Sequence, residues 1–418
     1  MSDQNLETKR WFIAIATIVM QLALGTVYAW SVYKKPLMAA HGWSETGTQV
    51  TYIILMMAAG FSVALGGNLV DRKGPRFVAT IGGILFGIGT LLAGLADATG
   101  SLTLLYVGYG LIGGIGNGFG YVTPIVTLVR WFPDKRGLVT GLAVMGFGAG
   151  SFLIGQLVPS MIMKIGVANT FYFWGVIFLI VVTGAAQFYR NPPAGWLPKG
   201  FQPTAAKGRS LADSITFHHA LKTRKMWTLW AILFLNCSAG LGLISQLSPM
   251  AQDVIRNTIQ GEPTPDQLKA IAIQAGTILA IASIFNGLGR LGWAWTSDAI
   301  GRKAVFLIMF MSQAVLYMLL PRIDTVYVFA GMACFLLSCY GGGFATMPAF
   351  AADTFGPAYI GKIYGVILTA WGAGGLSGPL IFARVKEVSQ SYEMAVFAMA
   401  GMLIMGFVLT ITYKMEWP

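Results

Sequence analysis

Twelve runs of apolar residues, each near the length of one bilayer crossing, divide the chain. They lie near 11–33, 47–70, 77–96, 102–129, 138–163, 170–188, 226–251, 270–296, 304–320, 325–351, 362–383 and 393–413. A helix needs about 20 residues to cross about 30 Å of hydrocarbon. The runs therefore predict an all-α integral membrane protein with 12 transmembrane helices. Composition agrees, with 56% hydrophobic and 11% charged residues, against about 25% charged in a soluble domain. The ten-residue alternating strands of a membrane barrel are not seen. The polar opening MSDQNLETKR leads into an apolar run too long for a signal-peptide core, so a retained first helix is expected. The cysteines at 237, 334 and 339 fall inside predicted spans, without metal or disulfide spacing. They read as packing residues, and no cofactor or metal is expected.

The formal net charge is +12, which could suggest a polyanionic partner. Its distribution argues otherwise. With the N-terminus placed in the cytoplasm, 19 of the 28 Lys and Arg fall on the cytoplasmic side and 8 on the other; Arg290 lies within a span. This is the positive-inside bias. It predicts both termini cytoplasmic, a lipid bilayer as the environment and no nucleic-acid partner.

The chain also repeats itself. GGNLVDRKGPR (66–76) falls between spans two and three, and GWAWTSDAIGRK (292–303) between spans eight and nine. GLVTGLAVMGFGAGS (137–151) aligns without gaps to GKIYGVILTAWGAGG (361–375), and Pro124 and Pro348 keep the same offset. These matches predict two pseudo-symmetric six-helix bundles, 1–188 and 226–418, joined by a Pro-, Gly- and basic-rich cytoplasmic linker, 189–225. Parallel repeats of this kind place a substrate site between the halves near the membrane midplane.

Arg290 is the full charge expected deep in the membrane, eight residues and so about 12 Å from the end of its helix at Asp298. The sixteen acids can all be placed in loops or at helix ends. A buried Arg keeps its charge and costs at least about 2.5 kcal/mol at mid-bilayer. A mobile anion is the natural missing partner, and a guanidinium fork suits a carboxylate. The competing reading is an Arg that snorkels or caps carbonyls. Asn286 lies one turn earlier on the same face and could orient the guanidinium or bond the substrate. Further lining candidates are Tyr28 on span one, Asn117 and Tyr121 on span four, Tyr340 on span ten, and Phe147 and Trp371 at equivalent repeat positions. Gln21 and Gln246 are weaker candidates. For each of these, core packing is the alternative.

GGNLVDRKGPR resembles the signature loop of the major facilitator superfamily. LALGTVYAWSVY (22–33), RWFPDKRG (130–137) and the arginine on span eight resemble the oxalate/formate antiporter family, which includes monocarboxylate carriers for lactate and pyruvate. The resemblance implies a major facilitator fold, a multi-pass protein of the bacterial inner membrane, and conformational latches at the repeated loops: Asp71, Arg72 and Arg76 in one, Asp298, Arg302 and Lys303 in the other. It also favours Tyr121 and Tyr340 as site residues. Oxalate carriers of that family have a lysine on span eleven; by repeat position Trp371 stands there instead. Animal-type monocarboxylate carriers have an acid four residues before the Arg, where this chain has Asn286. One fixed charge fits one carboxylate. The expected function is alternating-access transport of a small monocarboxylate such as L-lactate or pyruvate, with a proton, by a monomer. The alternatives are oxalate/formate-type exchange and a transport-inactive carboxylate sensor. No nucleophile–base set points to an enzyme.

Overall fold

The computed structural model describes residues 3–134, 136–193, 196–199, 215–356 and 359–414; the side chains of 3–5, 71, 136–138 and 140 lie outside that description. Among the described residues all regular structure is helical. Eleven stretches are long and apolar enough to cross a membrane. We number them α1 (Leu6–His41), α2 (Glu45–Val70), α3 (Pro75–Thr99), α4 (Leu102–Trp131), α5 and α6 (together Gly141–Ala186), α7 (Arg224–Arg256), α8 (Pro265–Ile300), α9 (Arg302–Arg322), α10 (Val326–Phe355), α11 (Ile360–Ser389) and α12 (Glu393–Thr412). The 46-residue stretch is two crossings, because Gly166 inside it has φ 81° and ψ 170°. Its two arms pack on different helices. Gly155 of α5 lies against Gly276 and Ala280 of α8, while Gly175 of α6 lies against Leu91 of α3. The twelve predicted spans are thus all present.

The repeated loops turn in the same way. Gly74 has φ 85°, ψ 158°, and Gly301 has φ 93°, ψ 149°. Both values lie in a region that only glycine enters readily, so both loops require glycine at the third residue after the Asp. Pro124 and Pro348 both sit inside their helices, α4 and α10.

Lipid gives apolar side chains no hydrophobic reason to associate, so close helix packing rests on small residues. A Cβ added to Gly60 of α2 would lie 2.8 Å from Gly372 of α11. One added to Gly148 of α5 would lie 3.0 Å from Gly287 of α8. Large apolar side chains that remain exposed, such as Phe61, Leu65, Ile180 and Leu288, suit a surface that faces lipid.

Two sequence expectations need correction. The first span does not end at residue 33; α1 continues to His41, through Pro36 and past a 3₁₀ turn at Thr26–Ala29. Lys34, expected in an outer loop, is consequently fully buried. Arg290 is therefore not the one buried cation of the membrane region. Most of the expected 189–225 linker, 194–195 and 200–214, lies outside the described residues; of the rest, Ile215 N–H donates to the Phe355 carbonyl at 2.9 Å.

Candidate substrate-binding site

The 3₁₀ turn of α1 buries Tyr28 where α1, α4, α5, α10 and α11 meet. The Tyr28 hydroxyl meets that of Tyr340 on α10 at 2.8 Å. Phe147 of α5 packs edge-on against Tyr28, with ring centroids 5.2 Å apart, and against Tyr121 of α4 at 4.9 Å. Trp371 of α11 closes the ring, 5.5 Å from Tyr121 and 6.0 Å from Phe147. The three contacts of Phe147 are edge-to-face, while Tyr121 and Trp371 are tilted at 41°; such geometry fixes ring orientation as well as burying area. Glycines let the backbones come this close. A Cβ on Gly25 would lie 2.0 Å from the Phe147 carbonyl oxygen, and one on Gly240 would lie 2.2 Å from the Tyr340 ring.

Arg290 of α8 enters this aromatic cage and is 1% exposed. Its Cζ lies 5.2 Å from the Phe344 ring centroid and 5.9 Å from that of Phe147. Ring faces stabilise a cation without satisfying its N–H groups. Nε and Nη1 have no hydrogen-bond partner, and among the described residues no carboxylate pairs with Arg290. Among the other buried polar atoms without a partner are Oδ1 of Asn286 and Nε1 of Trp371. A buried polar group without a partner costs about 1–3 kcal/mol, more if charged. Unpartnered donors of Arg290 and Trp371 and an unpartnered acceptor on Asn286 fit a ligand that is anionic at one end and polar beside it.

Seven expected residues thus meet in one cage or line it: Arg290, Asn286, Tyr28, Tyr121, Tyr340, Phe147 and Trp371. Asn117 is held by the backbone of α1 instead. Its Nδ2 donates to the Leu24 carbonyl of α1 at 2.9 Å, next to the 3₁₀ turn, while Oδ1 has no partner. Gln21 donates to the Tyr121 carbonyl at 3.3 Å. Gln246 lies elsewhere, beside Lys34 and Glu45. The sequence reading missed Phe344. It stands four residues after Tyr340, hence on the same helical face, but nothing in composition separates it from the chain's 26 phenylalanines. It also missed Lys34 and Glu45.

At the repeated loops, Arg76 donates to Gln187 Oε1 from Nε at 2.8 Å and from Nη2 at 2.6 Å. Arg302 pairs with Asp298 at 2.5 Å and with Asp353 at 3.3 Å, and Lys303 donates to the Ile411 and Tyr413 carbonyls. Arg76 and its partner both precede residue 200, and Arg302, Lys303 and their partners all follow residue 214. Arg72 is exposed, and the Asp71 side chain lies outside the described residues.

The sequence matches the family described as the Major Facilitator Superfamily over residues 12–379, and again over 258–416. Its relatives include an oxalate:formate antiporter from Oxalobacter formigenes, 29% identical over 369 residues, which cover 86% of this chain and 81% of that protein. Apicoplast pyruvate carrier 1 of Toxoplasma gondii is 27% identical over 395 residues, covering 80% of this chain and 69% of that one. Among solved structures, a bacterial homolog of the human lysosomal transporter Spinster, inward-facing and unoccupied, aligns over 100% of both chains with a TM-score of 0.69 at 15% identity.

Proposed function

The chain belongs to the Major Facilitator Superfamily, a family of multi-pass membrane transporters, and from that premise we propose that it carries a small monocarboxylate such as L-lactate or pyruvate by alternating access. The observation that supports this most is Arg290, buried with unpartnered donors and facing no protein carboxylate among the described residues. The substrate carboxylate binds the guanidinium. A 2-hydroxyl donates to Asn286 Oδ1, or a 2-keto oxygen accepts from Trp371 Nε1. The aromatic ring of Tyr28, Tyr121, Phe147, Tyr340, Phe344 and Trp371 covers a short hydrocarbon end. The relatives' names are consistent with this substrate class, since one carries pyruvate and one exchanges oxalate for formate.

One guanidinium balances one carboxylate, which favours a monoanion over oxalate. Lys34, another buried cation, already has Glu45 as its counter-ion. In this reading the helices 1–188 and 226–418 move as two bundles about the cage, with both termini in the cytoplasm of a bacterial inner-membrane protein that works as a monomer. A proton accompanies the anion; the carrier needs no acid in the cage if the proton travels with the substrate–Arg290 pair.

Charge counting makes a direct test. Isothermal calorimetry on the purified protein should detect L-lactate or pyruvate and give no heat for oxalate. Trp371→Lys supplies a second cation at the repeat position of Phe147, and oxalate affinity should then rise at least about tenfold, as expected for one added charge-assisted hydrogen bond. Oxalate bound equally by both proteins would contradict the single-carboxylate reading and favour oxalate/formate exchange.

A further inference from the structure

The packing of α2 on α11 changes along the pair. Gly60 meets Gly372, and Met56 lies against Gly375, so the two helices run antiparallel and in contact there. Gly67 lies seven residues further along α2, and Gly365 seven residues back along α11, so both keep the same helical faces. Among the described residues, a Cβ on either would meet nothing within 4 Å, and neither would one on Gly361, a turn nearer the start of α11. Glycines let α2 and α11 touch at one depth and line open space at another. The pair parts toward the Gly361 end and leaves a groove.

Aromatic side chains of α7 stand beside it. Thr369, one turn after Gly365, accepts from Trp230 Nε1 at 3.0 Å. Trp230 stacks on Phe234 with ring centroids 5.3 Å apart, and Trp227 lies 6.4 Å from Trp230, one turn nearer the start of α7. Trp227 is 50% exposed, yet its Nε1 donates to the Leu221 carbonyl at 2.9 Å, which fixes the ring in place. A half-exposed indole at a helix end suits the boundary between hydrocarbon and headgroups. Cations gather at the same level. The hydrogen bonds Trp230–Thr369 and Ser238–Ser377 share one offset of 139 residues, so α7 and α11 run parallel in register. Lys362 therefore stands level with Thr223, which lies between Lys222 and Arg224. Lys222, Arg224 and Lys362 are all exposed. No Asp or Glu occurs from 214 to 252 or from 354 to 386, and Asp353, just before the second stretch, is paired with Arg302.

We propose that this groove binds one anionic phospholipid of the cytoplasmic leaflet. The lipid phosphate lies against Lys222, Arg224 and Lys362, and an acyl chain lies along Gly361, Gly365 and Trp230. Basic pockets between helices on the cytoplasmic side of a membrane suit anionic headgroups. A soluble anion would meet the cations and leave the groove empty, whereas a lipid uses both. The proposal rests on the cytoplasmic placement of the termini in the function proposed above, and not on which anion is carried.

The test needs no substrate, so its failure is distinct from a failure of the transport reading. Native mass spectrometry of the purified full chain in detergent, titrated with phosphatidylglycerol or with phosphatidylcholine of the same acyl chains, reads one-to-one lipid binding. The native protein should bind phosphatidylglycerol at least about tenfold more tightly, because three cations face its one negative charge. The variant Lys222→Gln/Arg224→Gln/Lys362→Gln should remove that preference. Gly365→Phe, and Gly361→Leu nearer the groove's open end, fill the groove without touching the cations. Each should weaken phosphatidylglycerol at least about tenfold with little change in apparent Tm, since the added atoms enter open space. Equal binding of the two lipids by the native protein would overturn the proposal. So would undiminished phosphatidylglycerol binding by both filled variants, because the cations would then attract a headgroup with no chain seated in the groove.

Discussion

Arg290→Met should reduce substrate uptake by roughly a hundredfold or more while leaving the empty protein at least as stable as the native one. The two halves of that expectation have one cause. Arg290 is buried, and its Nε and Nη1 have no acceptor in the protein. Removing one member of a buried charge pair typically costs about 2–5 kcal/mol of binding, which sets the loss of uptake. In the empty protein there is no pair to lose. An unbranched apolar side chain of similar length removes an uncompensated charge and keeps contact with the Phe147 and Phe344 rings, so stability should hold or rise by about 1 kcal/mol or more. Uptake into proteoliposomes and an apparent Tm in detergent, measured on the same preparation, check both. A structural Arg, capping carbonyls or bracing helices, would show the opposite pairing: lowered Tm and uptake reduced only in proportion to the folded protein. Arg290→Lys should fall between, since an ammonium keeps the charge and loses the planar fork.

The second large effect concerns packing. Gly289, next to Arg290, lies where α8 crosses α10. A Cβ there would sit 2.2 Å from the Ser338 carbonyl oxygen and 2.5 Å from its Cα. Backbone atoms cannot swing aside as a flexible side chain can, so Gly289→Ala must push the helices apart. Overpacking of this kind costs about 1–3 kcal/mol, occasionally more, and here it also moves the guanidinium. The expected result is a clear drop in folded yield and apparent Tm, with uptake lost beyond that drop. Gly292→Ala, three residues on, meets nothing within 4 Å and should be close to neutral. Equal behaviour of the two variants would mean that the α8–α10 crossing is looser than the geometry described here.

The helical layout could be read in the sequence because membrane spans announce themselves by length and apolarity, with little dependence on tertiary context. The break between α5 and α6 was legible for the same reason, although the two crossings share one nearly continuous apolar stretch; Gly166 supplies the turn. Arg290 stood out because a permanent charge with no acid nearby is rare at that depth. Phe147 and Trp371 were singled out by their equivalent repeat positions, and their rings lie 6.0 Å apart.

Lys34 shows what stayed hidden. Two adjacent lysines followed by Pro36 look like the end of a span, and local sequence offers no reason to continue. The helix continues because Glu45, arriving on the next helix, supplies a counter-ion, and Gln246, two hundred residues away in sequence, completes the junction. Those are tertiary facts with no local signature. Phe344 was hidden differently, as one aromatic among many. At the repeated loops, the matched Asp and Gly positions were visible and their backbone turns agree, but the partners of Arg76 and Arg302, Gln187 just past the end of α6 and Asp353 on α10, are ones that no local pattern connects to them.

The most direct measurement is uptake of radiolabelled L-lactate by proteoliposomes containing the native protein, with and without an inward proton gradient, and with excess unlabelled oxalate. The expected result is uptake driven by the gradient and indifferent to oxalate. Gradient-independent exchange blocked by oxalate would contradict it, because the cage around Arg290 would then be accommodating a second negative charge for which it offers no second cation.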